Sequence, residues 1–261
     1  MSQLRKIELA VGLIVAALAV AACGGGDGNG DGDSGTSGNQ STLPQGSEAV
    51  NLDPADFSTE ITNPYWSMTP GDRWVYRETD AEGGVMRDVV TVTNETKQIA
   101  NGVEARVVRD VVSEDGEPVE VTDDWYAQDK DGNVWYLGED TAEYKNGKVA
   151  TREGSFEADV DGAQPGVIMP NEPTVGQAYR QEYYATHAED TAKVVALGEA
   201  VSVPFGKFTD TVKTEDVSPL DDPPAVENKV YVRDMGPVLT VGVNGSEAGS
   251  REELLSYTPG S

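Results

Sequence analysis

The sequence predicts an all-β protein, mainly antiparallel: one large meander sheet, curved as a half-barrel or folded as a sandwich, with little helix. Three observations carry this prediction. Runs rich in Val, Thr, Tyr and Trp are separated by the turn dipeptides Gly83-Gly84, Asn101-Gly102, Asp115-Gly116, Asp131-Gly132 and Asn146-Gly147, about every 15 residues. Apolar and polar residues alternate with period two, as in Val103-Glu104-Ala105-Arg106-Val107. No apolar stripe of period 3.6 is sustained over three turns anywhere in 57–261.

Taken in order, a single domain at 53–261 opens where aromatics and Val first recur, near Phe57. Val90-Thr91-Val92-Thr93 and 103–107 alternate as strands with one dry side. Asp129-Lys130-Asp131-Gly132-Asn133 specifies a hairpin, with a type I turn followed by a glycine in the left-handed region. That register pairs Asp129 with Asn133, sets Tyr126 opposite Tyr136 and Trp135 opposite Ala127, and gives Trp125 and Trp135 one shared face. Residues 159–176, with Pro165, Pro170 and Pro173, read as a long loop crossing the domain, and Pro219, Pro223 and Pro224 mark another. Strands are expected near 177–186, 190–197, 208–214, 226–232 and 237–243, and 252–257 closes the sheet. The best helix candidate is the short stretch 188–192.

At the other end of the chain, Arg5 and Lys6 precede a stretch, 9–22, with neither charge nor proline, the layout of a secretory signal. It is shorter than the roughly 20 apolar residues a spanning helix requires. Val20-Ala21-Ala22-Cys23 resembles the lipobox of bacterial lipoproteins, in which small residues precede a cysteine that receives a diacylglycerol thioether. The resemblance implies a lipoprotein signal peptide at 1–22, cleavage after Ala22 and lipidation of Cys23. The other reading is an ordinary cleaved signal with an incidental thiol. Two or three acyl chains, at about 0.8 kcal/mol per buried CH₂, would hold the protein to a membrane. The expected location is therefore extracytoplasmic, lipid-anchored to the bacterial cell membrane. Residues 23–52, rich in Gly, Asp, Ser and Asn, read as a lipidated cysteine followed by a disordered tether. Cys23 is the only cysteine, so the domain folds without a disulfide and needs a hydrophobic core.

The 46 acidic residues against 19 Lys and Arg give a formal charge of −27, which opposes nucleic acid and anionic headgroups as partners. No metal site and no cofactor is expected. Asp27, Asn29, Asp31 and Gly32 match the first half of a calcium loop, yet Gly38 stands where its bidentate Glu belongs. His187 is the only histidine, in a solvated connection. Paired acids such as Asp123-Asp124, Glu139-Asp140, Glu189-Asp190 and Asp221-Asp222 are too abundant to single out an acid/base pair, and no nucleophile elbow, phosphate loop or dinucleotide fingerprint is present. No catalytic residue is assigned. The aromatic doublets are more informative, because adjacent strand residues point to opposite faces. They nominate Trp66, Trp125, Tyr126, Trp135 and Tyr136 as a stacking surface for a glycan, lipid or peptide; the competing reading is core rings covered by the long loops.

The segments Asn63-Pro64-Tyr65-Trp66-Ser67-Met68-Thr69-Pro70-Gly71-Asp72-Arg73-Trp74-Val75-Tyr76 and Val226-Glu227-Asn228-Lys229-Val230-Tyr231-Val232-Arg233-Asp234-Met235-Gly236-Pro237-Val238 resemble recurring motifs of bacterial secreted and lipoprotein β-domains. That resemblance implies architecture and no activity; a looser one, to half-barrel lipoprotein carriers, implies an acyl-chain cup. Three functions follow as expectations. The first is a non-catalytic envelope lipoprotein that binds or scaffolds a surface component. The second is a carrier of a hydrophobic or lipid ligand, and the third an acid/base hydrolase using paired carboxylates.

Overall fold

The computed structural model describes residues 43–260; the signal peptide at 1–22, the lipidation of Cys23 and the tether up to residue 42 lie outside the described residues. Among the described residues, thirteen strands form one antiparallel path. The first six are β1 (Arg73–Thr79), β2 (Val85–Gln98), β3 (Glu104–Glu114), β4 (Glu117–Asp129), β5 (Val134–Lys145) and β6 (Gln164–Met169). Two short strands follow, β7 (Ala178–Arg180) and β8 (Glu182–Tyr183). The rest are β9 (Thr191–Leu197), β10 (Thr211–Ser218), β11 (Ala225–Val232), β12 (Gly236–Asn244) and β13 (Arg251–Thr258). In space they run β7-β9-β10-β11-β12-β13-β1-β2-β3-β4-β5-β6-β8, so the last strand pairs with the first and the sheet curls into a nearly closed barrel.

Local chemistry sets most of the turns. Asp115 and Gly116, at φ 50° and 88°, and Asn146 and Gly147, at φ 55° and 71°, place both central residues in the left-handed region, as two-residue hairpins require. The 129–133 hairpin has the predicted register, with Tyr126 opposite Tyr136 and Trp135 opposite Ala127. Its first residue organises it: Asp129 Oδ1 accepts from the Asp131 and Asn133 amides at 3.0 and 2.8 Å, and Oδ2 accepts from Trp135 Nε1 at 2.8 Å.

Three expectations are corrected. Residues 159–176 are not one long loop, because β6 lies within them and pairs with β5 through Trp135↔Val167 and Tyr136↔Gly166. Pro165, Gly166 and Val167 are all buried, so this strand has no alternation to read. Residues 188–192 form no helix; Ala188 bridges Tyr184, and β9 starts at Thr191. Residues 43–52, read as the end of the tether, are a strap fastened to the barrel. Gln45 Nε2 donates to the Ala178 carbonyl at 2.6 Å, the Arg180 amide donates to Pro44 at 2.7 Å, and the Val50 amide donates to Gln164 Oε1 at 3.1 Å.

The strap lies where the barrel closes. β7 and β8 stand at opposite ends of the path but only Gln181 separates them in sequence, so the chain itself crosses the seam. A Cβ on Gly166 would collide with the Gln181 carbonyl, which is why β6 needs glycine there.

Candidate functional site

The barrel holds a partly open cavity of about 210 Å³. Its floor is built from the loop before β1. Asn63, 1 % exposed, donates from Nδ2 to the Gly132 and Pro170 carbonyls at 3.0 and 3.1 Å and accepts the Tyr65 amide on Oδ1 at 2.9 Å. That pins the loop so that Trp66 reaches across the barrel, its ring 5.6 Å from Tyr126 on β4 and 5.7 Å from Tyr231 on β11. On β1, Trp74 Nε1 donates to the Met235 carbonyl at 2.7 Å and Tyr76 Oη to that of Pro237 at 2.9 Å, tying the floor to the start of β12.

Beyond this aromatic floor, the inward positions of the same strands turn acidic. Trp74 and Tyr76 are followed two residues on by Glu78, and Asp88 stands opposite Tyr76 on β2. Asp110 on β3, Asp124 on β4, Lys229 on β11 and Glu252 on β13 complete the cavity's charged lining. Asp110, Asp124 and Glu252 are only half-buried and line the cavity, and Glu139 and Glu182 are half-buried as well. Lys229 is the one base among them: burial works against its charge, but Asp216 and Glu227 raise its pKa well above the usual lysine value, with Nζ 3.3 and 3.4 Å from their oxygens.

Crowding carboxyls into a walled space holds protons on some of them. Burial lifts Asp88 well above the carboxylate range, and Asp110 and Glu252 beside it add to the rise. Burial raises Glu78 and Glu139 to about 7. Burial raises Asp124, and then Glu139 beside it; burial also raises Glu182, with Asp190 next in effect. Geometry independently requires a proton at Asp124 and Glu139. Tyr136 Oη is 2.7 Å from Asp124 Oδ1 and 2.8 Å from Glu139 Oε2, and a phenol has one hydrogen to give. Both bonds form only if one carboxyl is protonated and donates back.

Several polar atoms in the wall have no partner among the described residues: Trp66 Nε1, Asp88 Oδ1, Asp110 Oδ1 and Tyr231 Oη around the cavity, with Tyr179 Oη, Thr214 Oγ1 and Asp216 Oδ1 as further examples. Each costs about 1–3 kcal/mol when left unsatisfied. An interior built only for stability would not concentrate them here.

The five nominated rings are thereby divided. Trp66 and Tyr126 wall the cavity, and Tyr136 stacks on Tyr126 at 5.0 Å behind it. Trp125 and Trp135 do not line it; Lys97 Nζ lies 4.2 Å from the Trp125 ring centre and Phe57 packs edge-on to Trp135 at 6.1 Å. They are buried on the outer face of β4 and β5, so the five do not form one stacking surface. Cys23 lies outside the described residues. His187 stacks on Tyr184 at 4.5 Å in an exposed turn. Among the described residues no group of three or more His, Cys, Asp or Glu has the arrangement of a metal site, and no helix is long and apolar enough to cross a membrane. The carboxylates of the lumen were missed because acids are abundant everywhere in the chain. The signal that finds them is phase: Glu78, Asp88 and Asp110 each share the period-two face of Trp74 and Tyr76, Val90 and Val92, or Val108.

No protein-family model matches the chain, and no curated protein matches it. Two solved structures are similar to it. A predicted exported protein with a YMCC-like fold from Bacteroides fragilis shares 16 % identity at a TM-score of 0.46, over 76 % of this chain and 100 % of that one. A predicted lipoprotein from Parabacteroides distasonis shares 14 % identity at a TM-score of 0.41, over 75 % of this chain and 99 % of that one.

Proposed function

We propose that the protein is a non-catalytic envelope lipoprotein, held at the membrane through Cys23, whose barrel binds a small soluble ligand in its lumen. The observation that carries this is the cavity itself: aromatic at its floor, acidic above, and edged by buried donors and acceptors without protein partners. An acyl-chain carrier fits less well, because a chain entering the lumen would lie against Asp88, Asp110 and Glu252. A glycoside hydrolase needs carboxyls about 5–9.5 Å apart with room for sugar or water between them. Asp88, Asp110 and Glu252 instead crowd one wall of the cavity, where burial and then the neighbouring Asp110 and Glu252 raise Asp88, an arrangement suited to holding a proton.

Mass spectrometry of the natively purified full chain tests the reading. One small molecule bound per chain is expected, lost on denaturation and reduced in Trp66→Ala; repeated absence of any bound molecule counts against it. The anchor is tested separately. Cys23→Ser should release the protein to the medium or leave it unprocessed, and continued acyl labelling of that variant would refute the assignment.

A further inference from the structure

We infer that the lumen takes a small organic cation: an amine whose ammonium sits among Asp88, Asp110 and Glu252 and whose opposite, oxygen-bearing end reaches Trp66. The inference rests on the lumen being the ligand site and names the chemistry of what enters it.

Charge balance comes first. Lys229 is the only Lys or Arg lining the cavity, and Asp216 and Glu227 already engage it from its own side of the barrel. Glu252 on β13 stands in the same cross-strand row as Lys229, two strands away through Thr240, and Asp88 on β2 and Asp110 on β3 line the cavity further along the wall; none of the three acids forms a salt bridge among the described residues. Asp88, 4 % exposed, and Asp110 each turn one oxygen that accepts no hydrogen bond. An ammonium supplies three donors and the missing positive charge at once. Even with Asp88 holding its proton, an anion would meet the acidic groups of Asp110 and Glu252, and a neutral hydrophobe would leave all three polar groups facing carbon.

The aromatic half agrees. Trp66, Tyr126 and Tyr231 line the same cavity as the acids, and an aromatic face attracts a cation set over it by about 0.5–2 kcal/mol per contact. Trp66 Nε1 and Tyr231 Oη are both at least nine-tenths buried residues' polar atoms without a partner, and the indole nitrogen only donates. The ligand therefore carries an acceptor oxygen at its inner end, as an amino alcohol does. A bare divalent ion would leave the rings and these donors unused, and no metal-holding group of three acids exists among the described residues.

Aminopentanol, pentanediol and hydroxypentanoate share a chain and a hydroxyl and differ only in the charge of the other end. Titrated into the full chain in detergent, with calorimetry and the tryptophan emission of Trp66 and Trp74 as readouts, the amine should bind at least roughly tenfold tighter than the diol, and the carboxylate should give no signal. Asp110→Asn and, independently, Glu252→Gln should each cut amine affinity about tenfold and change diol affinity by clearly less, so that the preference for the amine over the diol shrinks. Equal binding of amine and diol, or tighter binding of the carboxylate, overturns the cation inference while the lumenal site stands. Tight binding of calcium alone, competing with the amine, overturns it in favour of an inorganic ion. If none of the probes gives heat or changes the emission, the lumenal reading itself fails.

Discussion

Replacing Arg180 by Ala is expected to destabilise the barrel by about 3–5 kcal/mol and lower its melting temperature by roughly 10–15 °C. Arg180 is 1 % exposed and has no carboxylate among its hydrogen-bond partners. Burial accordingly lowers its pKa. Its guanidinium works as a bracket for carbonyls. Nε and Nη2 donate to the Pro165 carbonyl on β6 at 3.2 and 2.7 Å, while Nη1 donates to those of Gly46 and Glu48 in the strap, the latter at 2.8 Å. One side chain thus joins β7, β6 and the strap across the only gap in the path. Alanine would leave three carbonyls without their donor and a void between backbones that Gly166 already lets approach closely. Lysine should restore only part of the loss, since a single ammonium cannot hold both banks in the geometry of a planar fork. Calorimetry measures the effect, and hydrogen exchange should quicken first at β7 and β8. A variant that melts within about 2 °C of the parent would show that the strap does not clamp the seam.

That bracket marks the limit of what the sequence discloses. The 129–133 hairpin is legible because everything that fixes it lies within seven residues: Asp129 accepts its own turn's amides and Gly132 takes φ 87°. The dry face of Val103, Ala105 and Val107 is legible for the same reason, as period two is local. Closure is not, because the Arg180 partners Gly46 and Pro165 stand 134 and 15 residues away and contribute only backbone oxygens, which no side-chain pattern records. β6 is hidden by Pro165 and Gly166, which read as loop formers, yet here proline supplies the carbonyl Arg180 needs and glycine the close approach. In the candidate site the rings at Trp66 and Tyr126 are visible as members of doublets, whereas assigning them to one lumen requires knowing that β4 and β11 face each other across a barrel. The acids fail for a statistical reason: 46 of them offer too many pairs, and only their phase with buried neighbours separates lumen from surface.

The same acids should make the barrel more stable in mild acid than in mild base, opposite to a protein held by paired carboxylates. A carboxyl whose pKa is raised by folding keeps its proton in the native state where the unfolded chain has lost it. Its stabilising contribution is complete below the unfolded value and is lost as pH climbs through the folded one. For Glu78 and Glu139 that window runs from the ordinary 4.5 to about 7, with burial the leading cause in both. An unscreened rise of that size corresponds to about 3 kcal/mol. Both groups are only half-buried, so screening by solvent reduces this to on the order of 1–2 kcal/mol each. Below the window the sign reverses. Glu48 is lowered by the Gln45 amide and its other backbone bonds, and Asp210 by Arg233, and these groups lose their contribution as pH falls through their folded values. The maximum should therefore lie near pH 5, with a melting temperature roughly 5–10 °C above that at pH 8. Glu139→Gln separates the cause from other effects of pH: glutamine cannot ionise, so the variant should melt higher than the parent at pH 8 and close to it at pH 5. A parent chain that melts at the same temperature at both values, or higher at pH 8, would mean the lumen carboxyls ionise freely and the wall does not enclose them.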